Sequence, residues 1–185
     1  RPSATTSPGL LAAVCAVPVD GLAELLAPAV AGRLVARGPG DGYAFTHDLV
    51  RECLYTALPD GRRRALHAAV VRALPAAVGP AAAAHHARRA VPDLPAEEAV
   101  EHLLAAARDA SARRAGEEAV GHLRAALALL PEDAAHLRAT VRLQLAEQLD
   151  RTGDLDTART EFAEVGELQP DGGAQVDGVL GQQGE

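Results

Sequence analysis

The sequence predicts a mainly all-α protein with one small β-hairpin, and three observations carry that prediction. Almost every segment after residue 9 has the apolar spacing or the composition of a helix. One turn-rich stretch, RGPGDG from Arg37 to Gly42, interrupts the pattern and is followed by the alternating Tyr43, Ala44 and Phe45. Beyond a proline-punctuated segment, an internal repeat runs to residue 170.

Taken in order, residues 1–9 are expected as a disordered or cut end. Leu10–Val17, Gly21–Ala27 and Pro28–Ala36 read as three short helices separated by Pro18 and Pro28. Pro28 suits a first helical position, where its missing N–H is not needed. Leu34–Arg37 and Tyr43–Phe45 are placed to pair as a hairpin, and helices followed by a small hairpin outline a winged-helix unit over 10–58. Thr46 then reads as an N-cap, with Asp48 in a first turn where its charge suits the helix dipole. Leu49, Val50, Cys53, Leu54, Ala57 and Leu58 form one apolar face, with Arg51, Glu52 and Tyr55 largely off it. Pro59-Asp60-Gly61 ends that helix. Arg62–Leu74 starts the next, with Leu66, Val70 and Leu74 in line. An Ala-rich helix around 80–90 and the segment Val91–Pro95 complete a helical linker over 59–95.

Residues 96–170 carry the repeat. The first copy places Leu103, Ala106, Ala107, Ala110, Ala119, Leu123, Ala126 and Pro131 at tetratricopeptide offsets. The second repeats the scheme with Arg142, Leu145, Ala146, Leu149, Gly153, Ala158, Phe162, Val165 and Pro170. Such units pack small on large: Ala lets helices approach, and Leu or Phe fills the gap. Ala158 and Phe162 are expected to be the small and the large partner. Stacked pairs leave a concave face suited to other proteins. The closing prolines are 39 residues apart, so the connection is about five residues longer than the usual period. Asp171–Glu185, rich in Gly, Gln and Asp, is expected as a disordered tail.

Composition narrows the function. The 185 residues contain no Met, Lys, Ile or Asn, and all 18 basic residues are Arg. A GC-rich, actinobacterial genome explains that bias, and an interior or truncated piece of a longer chain explains the missing Met. Residues 1–92 carry 10 Arg against 6 acids, and residues 93–185 carry 8 Arg against 19 acids. The acidic half is poorly suited to tracking nucleic acid by charge. Cys15 and Cys53 lie in apolar helical runs and read as reduced, buried thiols rather than a disulfide. The apolar stretch Leu10–Val19 is too short to span a bilayer, so a cytoplasmic protein without a membrane role is expected.

No catalytic residue is expected. Without Lys there is no phosphate-gripping P-loop, and the three serines sit in no nucleophile elbow. His85 and His86 are adjacent and point about 100° apart on a helix, and there is no metal-binding spacing, so the seven histidines read as scattered surface residues and no metal is expected. Arg62, Arg63 and Arg64 read as a solvated helix start. His47 and Asp48 stand apart, because they lie where a strand hands over to a helix N-terminus. Such a place presents an imidazole to an anion or packs a His at the junction, and residue physics leaves both open.

The run YAFTHDLVRECLY from Tyr43 to Tyr55, followed by Arg62, Arg63, Arg64, Ala65, Leu66 and His67, resembles the junction of large ATP-binding transcriptional regulators of the LuxR type. These belong with the signal-transduction ATPases of numerous domains. In them a winged helix closes the ATPase module and runs into tetratricopeptide-like repeats. The resemblance implies that His47 senses nucleotide by approaching the β-phosphate of ADP, and that Asp48 orients it or its helix. Thr46 stands where a Met-His-Asp motif has Met. It further implies ATP or ADP in the whole protein, a P-loop upstream, a DNA-reading helix-turn-helix downstream, and an inducer or protein partner at the repeats, with oligomerisation open. The alternatives are a stand-alone helical-repeat interaction module and a winged-helix DNA-binding protein.

Overall fold

A computed structural model describes residues 5–75 and 78–168. Among these residues the chain forms nine α-helices and one two-stranded antiparallel sheet, so it is mainly all-α with one small β-hairpin. The expected tail and Pro170 lie outside the described residues.

The N-terminal part, here the head, is built on the hairpin. Helices α1 (Pro8–Cys15) and α2 (Val19–Ala31) precede strands β1 (Val35–Arg37) and β2 (Tyr43–Phe45). The strands pair with Val35 opposite Phe45 and Arg37 opposite Tyr43, joined through a 3-10 turn at Pro39–Asp41. Gly40 sits there at φ 64°, a conformation that favours glycine. Thr6, placed by sequence in the unstructured end, exchanges two backbone hydrogen bonds with Tyr43 at 2.8 and 2.9 Å. That close crossing explains Gly42: a Cβ there would meet Thr5 and lie 2.8 Å from the Thr6 carbonyl oxygen. Pro28 does not open a third helix as expected. It lies inside α2, and the carbonyl it leaves unbonded belongs to exposed Glu24, on a helix whose one buried residue is Leu22.

Six helices follow α3 (Asp48–Ala57) as three antiparallel hairpins: α4 (Asp60–Ala73) with α5 (Pro80–Ala90), α6 (Ala96–Ala112) with α7 (Gly116–Leu129), and α8 (Ala135–Thr152) with α9 (Leu155–Leu168). The segment read as a linker is therefore the first stacked pair. Ala68 and Val71 of α4, Ala87 and Ala90 of α5, Leu94 and Ala99 share one core cluster. Ala84 of α5 joins the next, with Leu103, Leu123, Leu145, Leu149 and Ala158. Helix α4 buries His67, Ala68 and Val71 rather than the Leu66, Val70 and Leu74 line, because α1 and α5 both pack against it.

The repeat positions divide clearly. Leu145, Ala146, Leu149 and Ala158 are each at most 2% exposed, and Gly153 closes α8 at φ 87°. Phe162, expected to fill a large interior position, keeps 43% of its surface exposed. Arg142 bridges α8 to α9 through Glu161 at 2.6 Å and Glu164 at 3.3 Å. Small residues also matter at the hairpin ends: a Cβ on Gly116 would collide with the Thr152 methyl.

Leu145→Ala should cost about 3 kcal/mol of unfolding free energy in urea titrations, because the cavity it leaves is fully enclosed. Leu49→Ala on α3 should change it by less than about 0.5 kcal/mol, since that side chain is 74% exposed.

Candidate functional site

The strand–helix junction is fixed from the strand side. The Thr46 hydroxyl donates to the carbonyls of Arg33 (2.7 Å) and Leu34 (3.2 Å), and its backbone N–H donates to Leu34 at 3.1 Å. Thr46 therefore ties β2 to the end of α2 instead of capping α3. The N-cap position belongs to His47, whose backbone is extended and whose carbonyl accepts from Val50 and Arg51 at 3.1 and 3.3 Å. Its imidazole caps nothing and is exposed. Asp48 follows in the first turn, also exposed, with Arg51 3.7 Å away. The two residues singled out by sequence are thus neighbours on the surface at a helix N-terminus.

Beside them the head forms a half-open cavity of about 540 Å³. Leu11, Leu22, Leu26, Val35 and Phe45 line its apolar wall, while Asp48 and Arg51 supply charge. Tyr43 closes one side, 6% exposed, with the Arg37 guanidinium 5.6 Å from its ring centre.

Helix α3 has the apolar periodicity expected of it, yet it buries no residue at all. Leu49 is 74% and Leu54 50% exposed, and Cys53 is exposed too. Cys15 is also exposed, so neither cysteine is the buried thiol that its apolar surroundings in the sequence imply. Both belong to head helices with little packed over them.

The histidines are not all scattered. Tyr55 on α3, His67 on α4 and His86 on α5 form one hydrogen-bonded chain: Tyr55 Oη to His67 Nε2 at 2.9 Å, and His67 Nδ1 to His86 Nδ1 at 2.9 Å. The His85 ring lies 5.3 Å from that of His86, and its Nδ1 meets Arg89 at 3.1 Å. Burial, then Arg89 and His85, lowers the His67 pKa; burial, then Arg89 and Arg88, lowers that of His85. Burial, then His67, His85 and Arg89, pushes His86 down to about 4. The signal available in the sequence was the phase of α4: a His between positions 64 and 68 faces inward only if Ala68 and Val71, not Leu66 and Val70, mark the buried side. Arg63 adds to the same corner, with its guanidinium 5.4 Å from the Tyr55 ring centre and its charge paired to Asp60. Arg64 lies 3.7 Å from Asp93. Two of the three consecutive arginines are therefore paired within the fold.

Among the described residues no group of three or more His, Cys, Asp or Glu is placed to hold a metal ion, and no single helix is long and apolar enough to cross a membrane. No protein-family model, curated protein or solved structure matches the chain.

Thr46→Val, which keeps the shape and removes the hydroxyl, should cost about 1 kcal/mol in chemical denaturation. It should also speed amide exchange at the hairpin end, while leaving the helix content measured by circular dichroism unchanged.

Proposed function

We propose that this chain is a coupling segment of an ATP-dependent transcriptional regulator of the LuxR type. The head closes a nucleotide-binding module, and the stacked helices receive a protein partner or inducer. One observation carries the reading: α3 presents a complete apolar face with no buried residue, directly after an exposed His47. An amphipathic helix left bare beside an accessible imidazole is what a docking face for a nucleotide-binding core requires, since exposed apolar patches of this kind mark interaction surfaces.

In this reading the core supplies the P-loop and the bound ADP or ATP, and His47 contacts the β-phosphate of ADP. Asp48 favours the α3 N-terminus by its charge. The chain itself catalyses nothing. Helix α4 passes a change of head position onward, because it packs against both α1 and α5. A ligand at the helices shifts the equilibrium only through contacts that differ between the two states. DNA is contacted through a separate helix-turn-helix, and the protein works in the cytoplasm. The second reading, a helical-repeat interaction module without nucleotide, is favoured by the three stacked hairpins and their shared core.

The test is His47→Ala in the full-length gene product. ADP retained through purification, quantified by chromatography after acid release, should fall at least about tenfold, the loss expected when a charge-assisted phosphate contact is removed. Undiminished ADP in the variant, or no nucleotide in the wild type, would favour the plain interaction module.

A further inference from the structure

A half-open cavity of about 270 Å³ lies where the turn ends of the second and third hairpins meet, walled by Ser111, Arg114, Gly116, Gln148, Arg151 and Thr152. It draws on the end of α6, the α6–α7 turn, the first residue of α7 and the C-terminal end of α8. Gly116 permits that approach, because a Cβ there would take the space of the Thr152 methyl.

The polar groups of this wall are mostly unused. The Thr152 hydroxyl donates to the carbonyls of Gln148 and Leu149 at 3.1 and 3.0 Å. Among the described residues, the Ser111 hydroxyl and the Arg114 and Arg151 guanidinium groups have no hydrogen bond or ion pair. Gln148 is the telling case. It is 8% exposed, yet its side-chain amide bonds to nothing among the described residues. Neither of its amide atoms is sealed in protein, so the amide opens onto the cavity that the residue lines. A buried amide left unpaired is costly, and its position here supplies a donor for a ligand.

Charge and size define that ligand. Residues 93–185 carry 19 acids against 8 Arg, so acidic partners are plentiful, yet no carboxylate lines the cavity. Glu117 and Glu118 stand in the first turn of α7 outside the wall, and Glu118 is paired with Arg113 at 3.2 Å. Helix α7 starts at the cavity without a side-chain cap, which leaves its first N–H groups to an incoming anion. Two guanidinium groups and a helix N-terminus suit a dianion better than a carboxylate, and a phosphate group carries about −1.5 to −2 at neutral pH. Sites that enclose a drug-sized molecule measure about 300–1,000 Å³, so the smaller volume here fits a single small anionic group.

We propose that the cavity between the second and third hairpins binds a phosphate group, held by Arg114, Arg151, the Gln148 amide, the Ser111 hydroxyl and the start of α7. The site goes beyond the nucleotide reading and does not depend on it, since no residue of α3 or the head takes part. Arg114 fits this role from its backbone as well. It occupies a left-handed position at φ 60°, as Gly153 does at φ 87° in the α8–α9 turn. An arginine there accepts a conformation that glycine adopts freely.

The experiment is an NMR titration of the chain at pH 7.4 and constant ionic strength, with inorganic phosphate, O-phosphoserine and acetate as separate probes. Inorganic phosphate should shift the Gly116 backbone and Gln148 side-chain amides saturably, while α5 amides stay fixed. Acetate should bind at least about tenfold more weakly, as should phosphate to Arg114→Gly, Arg151→Gln or Gln148→Leu. Arg114→Gly suits the φ of its position, so lost binding with an unchanged spectrum elsewhere reads the guanidinium and not the fold. Tighter binding of O-phosphoserine than of inorganic phosphate would support the site with a phosphate monoester as its ligand, and the reverse order would support it with the free ion. Three outcomes would overturn the proposal: no saturable shift with either phosphate probe, an equal response to acetate, or undiminished phosphate binding in Arg114→Gly and Gln148→Leu.

Discussion

Close approach of helices through alanine is the constraint on which the rest of the structure depends. Ala84, Ala87, Ala90, Ala99, Ala110, Ala119, Ala126 and Ala146 are all fully buried. At these positions backbones come near enough for Leu94, Leu103, Leu123 and Leu145 to plug the gaps between hairpins. A chain with only four aromatic residues has few other ways to build a dense interior. The order of hairpins follows, since each pair has a face that only its neighbour covers.

The head is made differently. Its hairpin has three residues per strand, and its rigidity comes from Thr6 pairing with Tyr43 and from Thr46 holding the end of α2. Both devices are hydrogen bonds among backbone and hydroxyl groups, so the head needs little apolar burial to hold its shape. That leaves α3 bare and Leu25, Leu49 and Leu54 in solvent. A well-packed stack joined to a sparsely packed head leaves α3, which has no buried residue, next to His47.

Much of the hairpin stack could be read in the sequence. Period and residue size together named Leu103, Ala106, Ala110, Leu123, Leu145 and Ala158, all of which are buried. The paired strands were readable as well, because a turn rich in glycine next to alternating aromatics has few other solutions. What failed was anything set by tertiary neighbours. Thr46 has the chemistry of an N-cap but finds closer acceptors in Arg33 and Leu34. Phe162 has the right spacing but keeps 43% of its surface exposed. The phase of α4 is decided by α1 and α5 rather than by its own leucines, and with it the inward turn of His67. The pairing of Tyr55 with His67 and His86 has no local signature, since it joins residues 12 and 19 positions apart across three helices.

Two features of the junction point the same way: a helix with an apolar face and no cover, and an imidazole exposed at its start. The central claim is that a nucleotide-binding core covers that face in one nucleotide state and releases it in the other. The most direct measurement is hydrogen exchange of residues 48–57 in the full-length gene product, saturated first with ADP and then with a non-hydrolysable ATP analogue. The expected result is strong protection with ADP and loss of it with the analogue, while α8 exchanges identically in both. Equal exchange of α3 in the two nucleotide states would contradict the claim.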